Sequence, residues 1–563
     1  MNFRPGPRAS ALLALACGGL AAIAQPPFGF LPGLLGYALL AHLVDAAPEA
    51  RPLRAAFWRG WLCGFAYFFI GCWWVAEAFM VDARGQGWMA PFAACLLPAG
   101  LGLFWGAAMA LYRLLRPERP WRWLVFAAAM TVMEWLRGTL LTGFPWNLPG
   151  ETWAAGGAIS QTASLVGAYG LTWITLAGAS AFAAVMAGPT RISRAAPPLL
   201  ALAVLAGMWG FGELRLRHAV APSAAGPLVR IVQPDVPELD KYSGDNVRSI
   251  FVKYVSLTAA PARRAPDIVL WSEGAIPLSA EDILAPGLGW SQIIQQSLHP
   301  GETLMFGAYR QAGRPPAEHF YNSLVAVRSN DARLQVTGVY DKYKLVPFGE
   351  FIPAKEILGP LGFKDLAHLT DGFDFGARPH PIAPAGIPPA QPLICYESLF
   401  PDLVREAVNS GPVRPRWIVN VSNDAWFGVT SGPLQHLNQA SYRAIENGLP
   451  IARATPTGVS AMIDAYGRIL PGQSLGLGKS GDIDALLPPA LPISTYGRVG
   501  EAPLAALLIL SLLSAAERLT ALARRMAMTS LRSWTKDGAD REAIRKDKYE
   551  RPERRSLQVT QSS

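Results

Sequence analysis

The sequence predicts two parts of different class: a helical membrane domain of about eight spans and, outside the bilayer, an α/β layered sandwich. Three observations lead there. The chain is 51% hydrophobic and only 16% charged, where a soluble protein carries roughly a quarter charged residues. The apolar residues are unevenly spread: 9–214 is a succession of apolar runs, 220–500 reads as globular, and one more apolar run follows. Within the globular part, short Val/Ile/Leu-rich runs alternate with helical patterns, as strands covered on both faces do. At 563 residues there is room for several domains.

The spans are expected near 9–24, 30–43, 56–79, 89–111, 121–141, 159–186, 198–211 and 502–522, each close to what a bilayer requires. The first two are short and read as a hairpin or signal-anchor pair. A cleaved signal peptide over 1–24 is disfavoured because more spans follow. Basic residues orient the set. Arg4, Arg8, Arg51, Arg54, Arg113, Arg116, Arg119, Arg122, Arg191, Arg194, Arg518, Arg524 and Arg525 fall on one side if eight spans are threaded. That side is expected to be cytoplasmic, with Arg84 the main exception. Domain limits follow: 1–214 and 502–522 in the membrane, 215–500 on the outer side, and a basic cytoplasmic tail over 523–563. Glu134 and Arg137 lie in a span, where charge is costly and usually paired; one helical turn apart, they are expected to pair with each other.

The net charge of +9 sits in short loops and the tail, not on one globular face. This argues against nucleic-acid binding and for a membrane with anionic lipid on its basic side. Five cysteines, with no CxxC and no CxxH, match no common zinc pattern and give no disulfide framework. No metal and no cofactor is expected.

In the outer domain, strands are expected at 227–233, 267–273, 303–309, 322–328, 391–397, 416–424 and 460–467, and helices at 247–257, 399–407 and 435–447. Three polar residues fall at or near strand ends, where α/β folds place their sites. Glu273 ends DIVLWSE, Lys342 lies in TGVYDKYKLVPFGE, and Cys395 is late in QPLICYE. Taken singly, each is an ordinary turn, surface or core residue. Together they hold a chemistry. A thiol attacks as thiolate and needs a base. A carboxylate supplies one, and an ammonium stabilises an oxyanion. Of the histidines in this region only His436 has a motif-like context, so a Cys–His pair is not favoured.

WSEGAIP (271–277), YDKYKLVPFGEFIP (340–353) and ICYESLFP (394–401) resemble the three motifs of the carbon–nitrogen hydrolase (nitrilase) superfamily. With NDAWFG (423–428), GPLQH (432–436), RATPTG (453–458), and EWLRG (134–138), TGFPWN (142–147) and ASLVGAYGLTW (163–173) in the membrane part, the chain resembles the apolipoprotein N-acyltransferase family over about 10–520. The resemblance implies a nitrilase-like αββα sandwich, with Cys395 as nucleophile, Glu273 as general base and Lys342 as oxyanion stabiliser. Glu350, Tyr396 and Glu397 match supporting positions, and Tyr242, Trp426 and His436 are candidate substrate contacts. It implies ping-pong transfer of an acyl chain, typically the sn-1 chain of phosphatidylethanolamine, through a thioester to the α-amine of the diacylglyceryl-cysteine of an apolipoprotein. It further implies a monomer in a bacterial inner membrane with its catalytic domain in the periplasm. QPD (233–235), Lys241-Tyr242 and RATPTG depart from the family's QGN, K-W and RATNTG. The rival reading is a membrane-anchored hydrolase that uses the same triad, with water as acceptor, on a small amide or nitrile. A transporter or scaffold whose outer domain only binds is disfavoured, because intramembrane charge is sparse.

Overall fold

A computed structural model describes residues 5–117, 121–187, 190–241, 246–314, 317–330, 333–353, 372–410, 413–520 and 523–524. The tail predicted over 523–563 lies almost wholly outside these residues, and so does Tyr242.

Helices stand where the eight spans are expected. Four among the described residues are long and apolar enough to cross a membrane: Gly87–Leu115, Arg122–Thr142, Ile159–Met186 and Arg191–Arg217. Pro7–Ile23, Leu31–Asp45 and Ala502–Ser514 are apolar but shorter. The third expected span divides into Pro52–Cys72 and Val75–Met80 at Trp73 and Trp74. Its first helix carries Arg54 and Arg59, which dilute its apolar character. Local chemistry sets several helix starts: Pro7, Pro52, Pro91 and Pro503 each occupy the first or second helical position, where a missing N–H costs nothing. Glu134 and Arg137 form the expected buried ion pair. Trp105 Nε1 donates to Glu134 Oε1 at 2.6 Å, and the guanidinium lies 4.8 Å from the Phe68 ring centre.

The outer domain holds eleven strands among the described residues: β1 (Leu228–Gln233), β2 (Ile268–Leu270), β3 (Thr303–Arg314), β4 (Ala317–Ser329), β5 (Leu334–Asp341), β6 (Ala390–Ile394), β7 (Trp417–Val421), β8 (Ile451–Ala454), β9 (Ser460–Ile463), β10 (Ile469–Leu475) and β11 (Gly481–Leu486). They make two sheets, ordered β11-β1-β2-β3-β4-β5 and β10-β9-β8-β7-β6. β1, β2 and β3 run parallel, as do β6, β7 and β8. The sheets share one core, with Ile231, Leu270, Met305 and Leu324 of one meeting Ile394, Val419, Ala452 and Met462 of the other. Ile250, Phe251 and Tyr254 cover the outer face of the first sheet from helix Val247–Thr258. Leu403, Val404, Leu437 and Ala444 cover the second from helices Pro401–Ser410 and Gly432–Asn447. The layers are therefore helix, sheet, sheet, helix. The last layer is continuous with the membrane domain, because Trp146, Tyr169 and Trp173 belong to the same apolar cluster.

Buried polar groups lock this junction. Arg443 Nε pairs with Glu446 Oε2 at 2.9 Å, Arg443 Nη2 with Glu151 Oε1 at 3.4 Å, and Nη1 donates to the Leu399 carbonyl at 2.8 Å. Glu446 Oε1 accepts from Ala168 N at 2.9 Å, one residue after Gly167, whose φ of +69° breaks its helix. Arg443→Met leaves Glu151 and Glu446 buried without their cation. It is expected to lower stability by about 3–5 kcal/mol, read as a fall in the thermal transition of the detergent-solubilised protein. An unchanged transition would contradict the junction's role.

Candidate active site

Three strand ends converge. Glu273 lies three residues past β2, Lys342 directly follows β5, and Cys395 directly follows β6. The pairing of β4 with β5 ends at Ser323 and Asp341, and Lys342 N donates to the Asn322 carbonyl at 2.8 Å. This fixes where the lysine leaves the sheet. Its side chain is 1% exposed. A buried ammonium needs anions, and two are in place: Nζ lies 3.0 Å from Glu273 Oε1 and 2.9 Å from Glu350 Oε1. Asn322 Nδ2 bridges the same two oxygens at 2.7 and 2.6 Å. Val346 N holds the other Glu350 oxygen at 2.8 Å. Burial disfavours the lysine's charge, but Glu273, Glu350 and Cys395 outweigh it and hold the ammonium above the usual lysine range.

Cys395 opens the 3-10 turn Cys395–Leu399 with a φ of +47°. A side chain other than glycine seldom adopts this left-handed backbone, and it persists only where the surroundings impose it. Glu397 is one such constraint. Its Oε2 accepts from Ile394 N at 2.8 Å, and its Oε1 from Tyr340 Oη, Tyr343 N and Lys344 N at 2.9, 2.8 and 3.2 Å. One carboxylate thus ties the turn of Cys395 to the loop that carries Lys342. Burial raises its pKa to about 7 against the pull of these donors and of Lys342. The Cys395 carbonyl accepts from Ser398 Oγ at 2.8 Å, and His436 Nε2 lies 3.2 Å from it.

His436 is 1% exposed. Its Nδ1 lies 2.9 Å from Asp424 Oδ1, and Asp424 Oδ2 accepts from Arg453 Nη2 at 2.7 Å. Burial and Arg453 lower the histidine's pKa against the pull of Asp424, so the ring stays neutral near pH 7. It meets the backbone of Cys395 and lies behind the turn, which suits a positioning residue better than the substrate contact suggested by its motif. Trp426 is half-buried in the turn Asp424–Phe427.

Tyr396 faces the membrane domain. Its hydroxyl donates to the Gly143 carbonyl, and its ring stacks on Phe144 with centres 6.5 Å apart. Gly143 must be glycine: its φ is +86°, and a Cβ would stand 2.1 Å from the Gly138 carbonyl oxygen. Gln435 Oε1 accepts from Trp74 Nε1 at 3.1 Å and Trp146 Nε1 at 2.9 Å. The turn of Cys395 is therefore braced by residues in the connections of the membrane domain as well as by its own domain.

Cys395 itself is 9% exposed. Burial, reinforced by Glu273 and Asp424, raises its pKa to about 12 against the pull of Lys342 and a hydrogen bond with Ser422. It therefore rests as a thiol, and any chemistry it does as a thiolate needs a base. Glu273 acts on this thiol electrostatically, and both of its bonds named above fall on Oε1.

Sequence reasoning did not single out Asn322, Asp424, Ser398, Ser422 or Arg453. Arg453 carried a usable signal, since an arginine inside the four-residue strand IARA demands a buried carboxylate. Gln233 of QPD is wholly buried and accepts from Ser460 N and Oγ through Oε1 at 3.2 and 2.6 Å. Asp235 takes a φ of +52°, which Asp and Asn tolerate, so Asp replaces the expected Asn without strain.

Comparison with known proteins gives matches on both parts of the chain. Residues 17–181 match the apolipoprotein N-acyltransferase N-terminal domain, and 228–479 match the carbon-nitrogen hydrolase family. An apolipoprotein N-acyltransferase from Caulobacter vibrioides is 54% identical over 512 residues, covering 91% of this chain and 95% of that one. One from Rhodopseudomonas palustris is 39% identical over 516 residues, covering 89% and 93%. Among solved structures, an amidase from Nesterenkonia sp. is similar at 16% identity and a TM-score of 0.32, over 51% of this chain and 98% of that one.

With the thiol pKa raised to about 12, the thiolate fraction grows about tenfold per pH unit below that value. The alkylation rate of Cys395 by iodoacetamide, followed by peptide mass spectrometry, is expected to climb steadily between about pH 7 and 10. A plateau below about pH 9 would mean that the resting residue is already an ion pair with Lys342.

Proposed function

The chain belongs to the apolipoprotein N-acyltransferase family, and we propose that its activity runs through Cys395, Glu273 and Lys342. The enzyme N-acylates apolipoproteins at the membrane, the last step of lipoprotein maturation. The single observation that carries the site assignment is the buried ammonium of Lys342, 3.0 Å from Glu273 and 2.9 Å from Glu350, electrostatically coupled to the Cys395 thiol.

The steps balance as follows. Glu273 takes the proton of Cys395 while the sulfur attacks the ester carbonyl of a phospholipid, and Lys342 stabilises the tetrahedral oxyanion. Collapse breaks the ester C–O bond, and the lysophospholipid leaves with the proton returned by Glu273. The free α-amine of a diacylglyceryl-cysteine then attacks the thioester carbonyl. Glu273 accepts the amine proton, the C–S bond breaks, and that proton returns to sulfur. Glu350 and Asn322 hold Lys342 and Glu273 in register. Glu397 and His436 are positioning residues that keep the strained turn in place.

The acyl donor in this scheme is phosphatidylethanolamine, and the enzyme acts as a monomer with eight spans. The arginine-rich loops favour an outer domain on the periplasmic side of the inner membrane. Both substrates are lipid-anchored, so a catalytic turn braced against the membrane helices meets them without extracting their chains. The rival hydrolase reading needs no such bracing, yet Tyr396 and Gln435 bond directly to membrane-domain residues.

The test is N-acylation of a diacylglyceryl-cysteine peptide in phospholipid micelles. Cys395→Ala abolishes product. Glu273→Gln lowers the rate by about 10²–10⁴-fold, and Lys342→Met by at least about 10²-fold. Full activity in the Cys395→Ala chain would refute the assignment, and release of free fatty acid in place of acylated peptide would favour the hydrolase.

A further inference from the structure

The helix Arg122–Thr142 reaches the nucleophile turn at one end, through Gly143. Its 21 residues span roughly 30 Å, and the other end opens on Arg122. There it meets the end of helix Ala90–Leu115, and charge accumulates. Asp45 is the carboxylate at the centre. Its Oδ1 accepts from Arg116 Nη1 at 2.9 Å and Tyr112 Oη at 3.0 Å, and its Oδ2 pairs with Arg122 Nη1 at 2.7 Å. Arg113 feels Arg116, Asp45 and Arg518, and Arg518 Nε donates to the Leu114 carbonyl at 3.4 Å. His42 faces Asp45 and Arg122, and Glu517 beside Arg518 is exposed. Among the described residues, four guanidiniums thus gather at this end, with Asp45 between Arg116 and Arg122 and Glu517 at the exposed edge.

Membrane topology alone explains basic loops, but those need only be solvated. Here the Arg116 and Arg122 side chains are only 23% and 21% exposed, and Asp45 cannot neutralise them all. Two buried donor atoms, Arg113 Nε and Trp123 Nε1, have no protein hydrogen-bond partner. Arg122, Trp123, Tyr112 and Ser180 line a small cleft between the helices, and Trp121 beside it is 48% exposed, as aromatics at a headgroup boundary are. Excess half-buried positive charge with orphan donors calls for an acceptor-only anion, and a phosphodiester is one.

We propose that this cluster binds the headgroup of an anionic phospholipid in the leaflet opposite the catalytic domain. The site is separate from the acyl-transfer site, and its lipid is a structural ligand, not a substrate. The full chain in neutral detergent is incubated with diether phosphatidylglycerol or diether phosphatidylethanolamine, neither of which has an ester for Cys395, and bound lipid is counted by native mass spectrometry. Phosphatidylglycerol is expected to be retained over phosphatidylethanolamine by about tenfold. Arg113→Gln/Arg122→Gln loses the preference, whereas Arg113→Lys/Arg122→Lys keeps most of it; both retain acyl transfer, which reports a folded chain. Equal retention of the two lipids by the unaltered chain overturns the proposal, whether or not the glutamine variant folds. So does an undiminished preference in that variant. Inorganic phosphate is the third arm: full displacement of the lipid by millimolar phosphate would assign the cluster to a soluble anion and overturn the lipid assignment.

Discussion

A buried ammonium with two carboxylates fixes most of what surrounds it. Lys342 is almost inaccessible to water, so its charge survives only because Glu273 and Glu350 face it at hydrogen-bond distance. Truncating either carboxylate would leave one anion for a cation that burial already penalises. The three strand ends that bring these groups together are therefore constrained jointly. β2 must deliver Glu273, β5 must deliver Lys342, and the loop after it must fold back far enough to return Glu350. Asn322 on β4, donating to both carboxylates, closes the set.

The second constraint is the strained backbone of Cys395, and the membrane domain helps to impose it. Glu397 holds the turn from the side of the lysine loop, and Ser398 holds the carbonyl. Tyr396 reaches across to Gly143, which admits no side chain. A soluble sandwich would have to replace these last contacts. Here the helical layer that covers the second sheet shares its apolar cluster with the membrane domain, so packing against that domain and shaping the turn of Cys395 are one structural event.

Much of this was legible in the sequence. Glu273, Lys342, Cys395, Glu350, Tyr396 and Glu397 stand in short motifs at or near strand ends, and seven strands announce themselves as short apolar runs, most of them rich in Val, Ile or Leu. The remaining strands were harder to see for physical reasons. β10 and β11, ILPGQSL and GDIDAL, carry Pro, Gly and Asp and are half-exposed. β8, IARA, is too short to show a period. β5 was visible only as the apolar start of a motif read mainly as loop. The Asp424–His436–Arg453 network joins residues from a turn, a helix and a strand, and only folding makes it one site. Composition also overstated regularity in the membrane part: the third span breaks at its paired tryptophans, and the eighth is interrupted at Ala515 before helix resumes over 516–520.

The sulfur of Cys395 is the one atom on which the account depends. Mass spectrometry of the full chain after mixing with phospholipid, and no acceptor, tests it directly. One fatty acyl group should appear on the peptide containing Cys395, labile to hydroxylamine, with lysophospholipid released in equal amount, and it should vanish when a diacylglyceryl-cysteine peptide is added. An acyl group on any other residue, or acylated peptide formed while Cys395 stays unmodified throughout, would contradict it.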